Sequence, residues 1–434
     1  MFRILIKGLN RDYPRHCPQP HDMSGLFFND SVRWLLYSGI RIGNGVNKGA
    51  VYGWKNLNRF SSSRSSSSSS YPFIYSEVTG YAITFFSWLY SELKTDESLQ
   101  AARESANWII RNMRLSPSSL LVAGHAQQDT FRDKGKLSNQ IYAFDNGMII
   151  IGLLNLYKLT KDSTLLYAAE TMTKSLIRHF FEPSSKAITA ALLDTDFKTI
   201  SYGKGKWSTT PGAYHSKLAL ALLQLYYMTE NNLYINVTES LCNFAKTFQK
   251  SDGRFMTNPD SEGLTFLHPH LYACEGLIYA GITLRNNDYL ISGLKGIGWA
   301  LQQIKPNGGL PRNTYEQDLE QSDCMAQLLR LLIICNSDPL LQKLLNKDDD
   351  GGIIDTSIEL LNRRLLDFSI YEEENRQRAM KYQLGLESEC SWCTMFASQA
   401  VRLWSKKKRN ELKVEKERKT KKEQANIEWI DFYV

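Results

Sequence analysis

Five carboxylic acids stand where apolar, helix-forming segments begin, and each has polar or aromatic neighbours. A carboxyl group in such a place can donate or accept a proton during a reaction, and two of them can act together as acid and base. A second interpretation competes with this one, because a carboxylate at a helix N-terminus also accepts hydrogen bonds from free amides and meets the positive end of the helix dipole. The five residues are Glu77, Asp145, Glu275, Asp323 and Glu389.

The balance between these two interpretations differs among the acids. Capping is the favoured role of Asp323, which follows Ser322 at a helix start, whereas Glu77 and Asp145 fit either role equally. Glu275 lies several residues inside an apolar helix, where a buried carboxylate requires a partner, and this favours a functional role. We therefore include all four of these acids in the predicted catalytic set.

Histidine and tyrosine side chains accompany the acids and could move a proton to or from a carbon atom. Such a reaction needs a base, an acid that returns the proton, and donors that stabilise the enolate. The segment His268-Pro-His270 stands directly before an apolar helix, with Tyr272 and Glu275 following, and is predicted to be functional. The histidines of the predicted catalytic set are His215, His268 and His270.

Aromatic rings in the same clusters could stack on the flat faces of a ligand, although core packing is the favoured role of any single ring. Arg312 follows a Gly- and Pro-containing link and could meet a carboxylate or phosphate group, although a solvated loop charge is favoured. The predicted substrate-binding residues are Tyr75, Tyr81, Tyr142, Trp207, Tyr214, Tyr272, Arg312 and Trp392.

We predict no metal site and no cofactor. Cys390 and Cys393 form one Cys-x-x-Cys pair, and without a second pair at zinc-binding spacing they are predicted to be core cysteines. No glycine-rich phosphate loop with a following Lys and Ser or Thr occurs, and no dinucleotide-binding fingerprint follows a predicted strand.

The clusters are positioned by an alternation of two kinds of helix. The first kind is apolar almost all round and is predicted to be buried, whereas the second is amphipathic, with charges between its apolar positions. The predicted inner helices span residues 81–93, 148–160, 218–229, 271–284, 325–335 and 393–404. The predicted outer helices span residues 98–114, 163–179, 233–249, 288–303 and 355–367.

The polar clusters recur at intervals of roughly 50 to 70 residues, as expected of stacked units that cannot bury their apolar faces alone. Five helical hairpins and a final inner helix predict an all-α fold, an α/α toroid (six-hairpin barrel), over residues 71–405. Residues 1–70 are predicted to form an irregular N-terminal segment with a serine-rich loop at 61–70. Residues 406–434 form a basic C-terminal extension.

Composition limits the classes of protein to which the chain can belong. The 434 residues carry a formal net charge of +7, but residues 405–423 hold ten Lys or Arg and four Glu, so the body is close to neutral and nucleic-acid binding is not predicted. The chain has no run of about 18 apolar residues, so no transmembrane segment is predicted. The tail is predicted to be a solvated helical extension, with peripheral contact to an anionic membrane as the alternative. Seven scattered cysteines favour a reducing, cytoplasmic location.

Over residues 71–405 the chain resembles the six-hairpin glycosidase superfamily, whose α/α toroids include glycoside hydrolases, unsaturated-uronide hydrolases and the N-acylglucosamine 2-epimerase group. The resemblance implies a sugar-binding mouth at the end of the barrel where the inner helices begin. Besides the repeated helix pairs, it rests on the motifs Tyr142-Ala-Phe-Asp-Asn-Gly147, His268-Pro-His-Leu-Tyr-Ala-Cys-Glu275, Ser322-Asp-Cys-Met-Ala-Gln327 and Trp392-Cys-Thr-Met-Phe396.

The resemblance implies a carbohydrate-active enzyme that takes an oligosaccharide or polysaccharide into the toroid cleft. A glycoside hydrolase with two carboxyl groups as acid and base is the first hypothesis. A sugar epimerase or polysaccharide lyase, which would transfer protons through His, Tyr and Glu on an acidic or amino sugar, is the second. A toroid that binds a glycan or a protein without catalysis is the third, since one fold supports many functions.

Overall fold

The computed structural model describes residues 20–57, 71–116, 119–121, 140–189, 191–194, 198–199, 207–257, 262–345 and 352–417. The described helices are α1 Pro20–Tyr37, α2 Ser76–Leu93, α3 Asp96–Asn112, α4 Ala143–Thr160, α5 Ser163–Phe180, α6 Ala219–Thr229, α7 Asn232–Thr247, α8 Leu267–Thr283, α9 Asn287–Gln302, α10 Ser322–Ser337, α11 Pro339–Leu345, α12 Gly352–Leu366 and α13 Ser391–Glu417. Two 3₁₀ helices, Trp207–Thr209 and Ala213–Leu218, precede α6.

The helices form two concentric rings. Helices α2, α4, α6, α8, α10 and α13 each pack against the next member of the series, and α13 packs against α2, so the inner ring is closed. Their outer partners are α3, α5, α7, α9, α12 and α1, in the same order. The predicted all-α six-hairpin toroid is therefore confirmed.

The sixth hairpin is completed by α1, from the segment that the sequence analysis treats as irregular. Phe28 and Trp34 of α1 are almost fully buried, and the helix packs along α13. The indole N–H of Trp34 also donates to Glu389, 3.2 Å away. The serine-rich loop at 61–70 lies outside the described residues. The toroid therefore begins before residue 71, because the last inner helix needs an outer partner to cover its apolar surface.

A recurrent turn separates the inner and outer helices of three hairpins. Lys94, Lys161 and Glu230 end α2, α4 and α6 in the left-handed region, with φ of 56°, 58° and 56°, and their amides donate to carbonyls four residues earlier. Asp162 and Asn231 then cap the following outer helices α5 and α7 by accepting hydrogen bonds from backbone amides. This local chemistry explains why the hairpins were visible in the sequence.

Five of the six inner helices begin earlier than predicted and so extend into the polar clusters, whereas α6 begins at Ala219 and its cluster lies in the preceding 3₁₀ helix. Glu77 is the second residue of α2, Asp145 the third of α4 and Asp323 the second of α10. The clusters therefore lie in first helical turns rather than before the helices. First-turn side chains can face the open end of a barrel, because the helix axis ends there.

Short strands border the same end of the barrel. Strands β1 Trp54–Asn56, β10 Ser388–Cys390, β9 Gln377–Met380 and β8 Ser369–Glu372 form one antiparallel sheet in that order, with Trp54 opposite Cys390. The remaining strands pair in twos: β2 Arg114–Ser116 with β3 Ser119–Leu121, β4 Gln140–Tyr142 with β7 Leu192–Asp194, and β5 Phe181–Glu182 with β6 Ala187–Ile188. The first sheet leads directly into α13, and β4 leads directly into α4.

The start of the basic extension belongs to α13 and contacts the body. Lys407 and Lys408 make ion pairs with residues of α12, Lys407 with Asp355 at 2.6 Å and Lys408 with Glu359 at 2.7 Å. Lys406 pairs with Glu92 of α2. The prediction of a solvated extension from residue 406 is therefore wrong for these lysines, because acidic residues of the body lie within their reach. Among the described residues no single helix has the length and hydropathy of a membrane span, and only the bent pair α10–α11 passes when taken together.

The packing of α8 against the 3₁₀ segment gives a stability prediction. A Cβ on Gly276 would lie 2.3 Å from the carbonyl carbon of Ser216, so Gly276→Ala is expected to lower the free energy of unfolding by about 3 kcal/mol. Gly298 of α9 has open space around it, and Gly298→Ala is expected to raise that free energy by about 0.5–1 kcal/mol. Urea unfolding of both variants measures whether each substitution lowers or raises the free energy of unfolding. A Gly276→Ala protein as stable as wild type would contradict this close approach.

Candidate active site

Two carboxyl groups meet where α2 and α4 begin. The side chains of Glu77 and Asp145 are hydrogen-bonded to each other, and the two residues are only 8% and 3% exposed. Two carboxylates in such contact cannot both carry a charge, because their repulsion in a buried place is too strong. A proton on one of the two carboxyls relieves this repulsion.

Burial raises the pKa of Glu77 above its usual value. Hydrogen bonds from Tyr75 and Tyr81 oppose this rise, as do the positive charge of Lys217 and the bond with Asp145. A carboxyl group whose pKa is raised keeps its proton closer to neutral pH, where it can act as a general acid. Glu77, beside Asp145, is thus a candidate general acid.

Two tyrosines form a floor beneath this pair. Tyr81 of α2 and Tyr272 of α8 come from opposite members of the inner ring, and their hydroxyl oxygens lie 2.6 Å apart. Tyr81 is also hydrogen-bonded to Glu77. A continuous chain of hydrogen bonds therefore crosses the barrel axis from α8 to the carboxyl pair.

A buried network of charges lies below the floor. Glu275 of α8 forms two ion pairs: its Oε1 lies 2.6 Å from Nη2 of Arg330 in α10, and its Oε2 lies 3.0 Å from Nζ of Lys217. All three side chains are at most 3% exposed. Glu275, which the sequence predicted to be catalytic, is therefore a buried carboxylate paired with two cations. Lys217 and Arg330 were absent from the predicted site. Each is a single charge among apolar helical residues, and such a charge must find a partner when it is buried.

A histidine–aspartate dyad stands on the other side of the ring. His268 Nδ1 lies 3.2 Å from Asp323 Oδ2, which also accepts a hydrogen bond from the indole of Trp392 at 3.3 Å. The other carboxylate oxygen accepts the backbone N–H of Cys324 at 2.8 Å. Burial lowers the pKa of His268, and Asp323 opposes this, so the imidazole is neutral near pH 7. His268 Nδ1 lies within ion-pair distance of Asp323 but is not aligned for a hydrogen bond with it. The tautomer with its proton on Nδ1 faces the carboxylate and leaves the Nε2 lone pair as the proton acceptor.

Two groups of aromatic rings lie around these units. Trp207 packs edge-on against Tyr214 at 5.0 Å and lies 5.6 Å from His268, while Phe144 lies 4.7 Å from Tyr272. The second group surrounds the half-buried Trp392, whose ring lies 6.3 Å from Trp54, 6.4 Å from Tyr75 and 5.7 Å from Tyr382. Tyr382 was not predicted, because it follows a strand rather than opening a helix.

The structure therefore brings most of the predicted site residues together. These are Tyr75, Glu77, Tyr81, Asp145, Trp207, Tyr214, His268, Tyr272, Asp323 and Trp392. Two of the predicted binding residues lie at its border. The hydroxyl of Tyr142 donates to Gln140 at 2.9 Å, and the half-exposed Arg312 pairs with Glu316 at 3.5 Å. Glu389 lies farther out, where it pairs with Lys55 at 3.2 Å.

Two predicted catalytic histidines have structural contacts instead. His270 Nδ1 accepts the backbone N–H of Phe255 at 3.2 Å, and its Nε2–H donates to the carbonyl of Gly296 at 3.0 Å, so both ring nitrogens are engaged. His215 accepts the backbone N–H of Gly212 at 3.4 Å and caps the 3₁₀ segment. Because His270 lies two residues beyond His268 in α8, it points to nearly the opposite side of the helix.

These buried histidines make the fold sensitive to acid. Burial lowers the pKa of His215 to about 3 and that of His270 to about 4, whereas histidines of the unfolded chain titrate near pH 6.5. Below that pH the unfolded chain binds protons that the folded chain does not. The free energy of unfolding is therefore expected to decrease as the pH decreases below about 6.5, by about 1.4 kcal/mol per pH unit for each histidine.

Urea unfolding over a pH series tests this expectation. His270→Gln is expected to be less stable than wild type at neutral pH but to lose stability less steeply as the pH falls, because one large proton-binding difference is gone. Burial also lowers the pKa of His179, but this residue is partly exposed on α5, so His179→Gln is the comparison variant and should change the slope less than His270→Gln. An unchanged slope in His270→Gln would show that His270 is not buried in the neutral form.

Three of the site's side chains could offer ligand atoms to a metal ion. The ligand atoms of His268, Asp323 and Cys324 lie within 4.8 Å of one another. Burial raises the pKa of the Cys324 thiol well above its usual value, however, and both Asp323 oxygens already accept N–H donors. This set fits a histidine beside a carboxylate that accepts two N–H donors better than it fits a metal centre, which needs a thiolate and free carboxylate lone pairs.

No protein-family model matches the chain, and no curated protein matches it. Among solved structures, it is similar to a sugar epimerase from a ruminal bacterium, with 12% identity, a TM-score of 0.67, and coverage of 90% of this chain and 99% of that one. It is likewise similar to cellobiose 2-epimerase from Bacillus thermoamylovorans B4167, with 12% identity, a TM-score of 0.65, and coverage of 89% and 99%. An unsaturated glucuronyl hydrolase specific for heparin has 9% identity, a TM-score of 0.60, and coverage of 89% and 98%. These likenesses show that the fold is an α/α toroid.

Proposed function

We propose that this chain is a carbohydrate-active enzyme that transfers protons to and from a sugar, in the manner of an epimerase or isomerase. One observation carries the proposal: a buried histidine beside a carboxylate stands across the ring from two neighbouring buried carboxyl groups, Glu77 and Asp145. His268 is the base of the first unit, and Glu77 is the acid of the second. The likeness to a sugar epimerase and a cellobiose 2-epimerase supports the same chemistry.

The proposed reaction acts on the open-chain form of a reducing sugar. His268 Nε2 removes the proton from the carbon beside the carbonyl, and the electron pair moves onto the carbonyl oxygen to form an enediolate. In the free enzyme Tyr81 donates to Glu77 and Tyr272 donates to Tyr81, so Tyr272 serves that oxygen by turning its hydroxyl from Tyr81 to the sugar. Delivery of a proton from Glu77 to the other face of the same carbon gives the epimer. Delivery to the former carbonyl carbon, with the hydroxyl proton of the adjacent carbon moving to the former carbonyl oxygen, gives the ketose.

Hydrolysis of a glycosidic bond is the second candidate. The hydrogen-bonded pair of Glu77 and Asp145 is too close to act as the two opposing carboxyls of a glycosidase, which lie about 5–5.5 Å apart for retention and about 6.5–9.5 Å apart for inversion. Asp323 across the ring supplies a third carboxylate, and a pairing of Asp323 with Glu77 keeps this candidate open. The likeness to unsaturated glucuronyl hydrolases also favours it.

Proton NMR in D₂O separates these reactions. The purified chain is incubated with reducing mono- and disaccharides, including hexosamine and uronate derivatives. We expect deuterium to enter the sugar at the carbon beside the carbonyl, and a second epimer or a ketose to appear. Release of a reducing end without exchange would replace the proposal by hydrolysis. Saturable sugar binding without either reaction would identify a binding protein, and Asp323→Asn is the inactive control.

A further inference from the structure

Four inner helices carry a row of side chains that continues below the site. Each row begins at the second residue of its helix and includes the sixth and the ninth, which lie on the same face because a helix turns once in 3.6 residues. The rows are Glu77, Tyr81 and Thr84 in α2, His268, Tyr272 and Glu275 in α8, Asp323, Gln327 and Arg330 in α10, and Trp392, Phe396 and Gln399 in α13.

These rows face one another across the interior of the barrel. The histidine–aspartate dyad joins the second residues of α8 and α10. Tyr81 and Tyr272, whose hydroxyl oxygens lie 2.6 Å apart, are the sixth residues of α2 and α8. Glu275 and Arg330, 2.6 Å apart, are the ninth residues of α8 and α10. Contacts between residues of equal rank show that the helices are in register around the axis.

Two glutamines of these rows therefore point into the interior. Gln327 stands in its row between two residues that both contact α8. Gln399 lies one turn beyond Phe396, whose ring packs edge-on against Tyr81 at 5.0 Å. Gln327 is thus at the level of the tyrosine floor, and Gln399 lies below it.

The carboxamides of both glutamines are buried and unpaired. Gln327 is 2% exposed and Gln399 0%, and neither Oε1 nor Nε2 of either has a hydrogen-bond partner within the part of the chain that the structure describes. Gln249, after α7, shows the contrast: its Nε2 donates to the carbonyls of Gly253 and Ser292, and its Oε1 accepts the Ser292 hydroxyl. A buried amide without partners is unfavourable, so the two interior glutamines require a ligand.

The chemistry of the amide group identifies this ligand. Each carboxamide offers two N–H donors and one acceptor oxygen, and in both glutamines the donors and the acceptor are open. An anion would pair only with the N–H groups, and a cation only with the oxygen. A water molecule donates and accepts at once, and it occupies buried places where several polar groups meet.

We propose that the barrel interior at and beneath the tyrosine floor is a binding site for ordered water molecules, held by the carboxamides of Gln327 and Gln399. Helices α10 and α13 are neighbours in the inner ring, so one chain of water can serve both amides. The ion pair of Glu275 and Arg330 lies at the level of Gln399 and borders this site. The water site takes no part in the proposed reaction, so either proposal can fail without the other.

Crystal structures of the full chain and its variants test the proposal. Wild type is expected to show at least one ordered water molecule about 2.7–3.2 Å from each of the two amides. Gln327→Met/Gln399→Met, similar in shape but without the donors, should lose these molecules, and Gln249→Met should keep them. Interior amides bonded only to protein groups in wild type would overturn the proposal. Bromide found at the amides after a soak would also overturn it, since the ligand would then be an anion.

Oxygen-17 relaxation dispersion of the solvent makes the same test in solution, because it counts water molecules that stay bound in the protein. The count is expected to fall by at least two in Gln327→Met/Gln399→Met and to stay unchanged in Gln249→Met. Should the double variant fail to fold, each single variant should lose at least one. A folded double variant that binds as many water molecules as wild type would contradict the proposal.

Discussion

Glu77→Gln is expected to lower kcat by about 10²–10⁴-fold, because a general acid contributes a factor of this size and an amide cannot donate a carboxyl proton. The substitution keeps the shape of the side chain and one oxygen that can accept the hydrogen bonds of Tyr75 and Tyr81. The fold should therefore survive. Single-turnover rates on the substrate found by NMR, together with the circular dichroism spectrum, measure the two effects separately.

A matched control for this variant is Glu389→Gln. Glu389 is also a buried carboxylate, but its partners are Trp34 and Lys55, away from the carboxyl pair. This variant should lose stability, because a buried ion pair is broken, and retain most of its turnover. Equal losses of turnover in both variants would show that Glu77 acts only through the fold.

Glu77→Gln also has an expected signature in stability. The pKa of Glu77 is raised in the folded chain, so the stability linked to it is fully present below the unfolded pKa of about 4.3 and is lost as the pH rises through the folded value. In the glutamine variant this loss is absent. Thermal unfolding of wild type and variant should therefore diverge toward neutral pH, in favour of the variant.

Asp323→Asn is expected to lower kcat by a similar factor of about 10²–10⁴, because the carboxylate sets the tautomer of the base. An asparagine amide can donate to Nδ1, which would place the imidazole proton on Nε2 and remove the acceptor that faces the substrate. His268→Gln should have an equally large effect. If the two residues act as one unit, the double variant should be little slower than either single one.

Trp392→Phe is the control for Asp323. It removes the indole donor to Asp323 Oδ2 and leaves the contact with His268 in place, so the loss of kcat should be much smaller than in Asp323→Asn. Fully additive effects of Asp323→Asn and His268→Gln would contradict the dyad and would favour capping of α10 as the role of Asp323. That capping role rests on the hydrogen bond that Asp323 accepts from the backbone N–H of Cys324.

Much of the fold could be predicted because helical burial is a local property. Apolar residues fill the inner helices and alternate with charges in the outer ones, and left-handed residues such as Lys94 and Lys161 with caps such as Asp162 mark the turns. The sequence analysis did not identify α1 as an outer helix, because its inner partner α13 is far away in the sequence and lies beside it only in the folded ring.

The toroid and the recurrence of polar clusters near the starts of inner helices could be predicted from the sequence, because helix periodicity is encoded over a few neighbouring residues. The sequence could not show which of the predicted side chains touch. In the folded ring His268 and His270 face different neighbours, Glu275 pairs with Lys217 and Arg330, and Glu77 lies beside Asp145 of the next inner helix. Ion pairing and contacts between carboxyl groups depend on ångström distances between chain segments tens of residues apart, and on burial that exists only once the ring has closed.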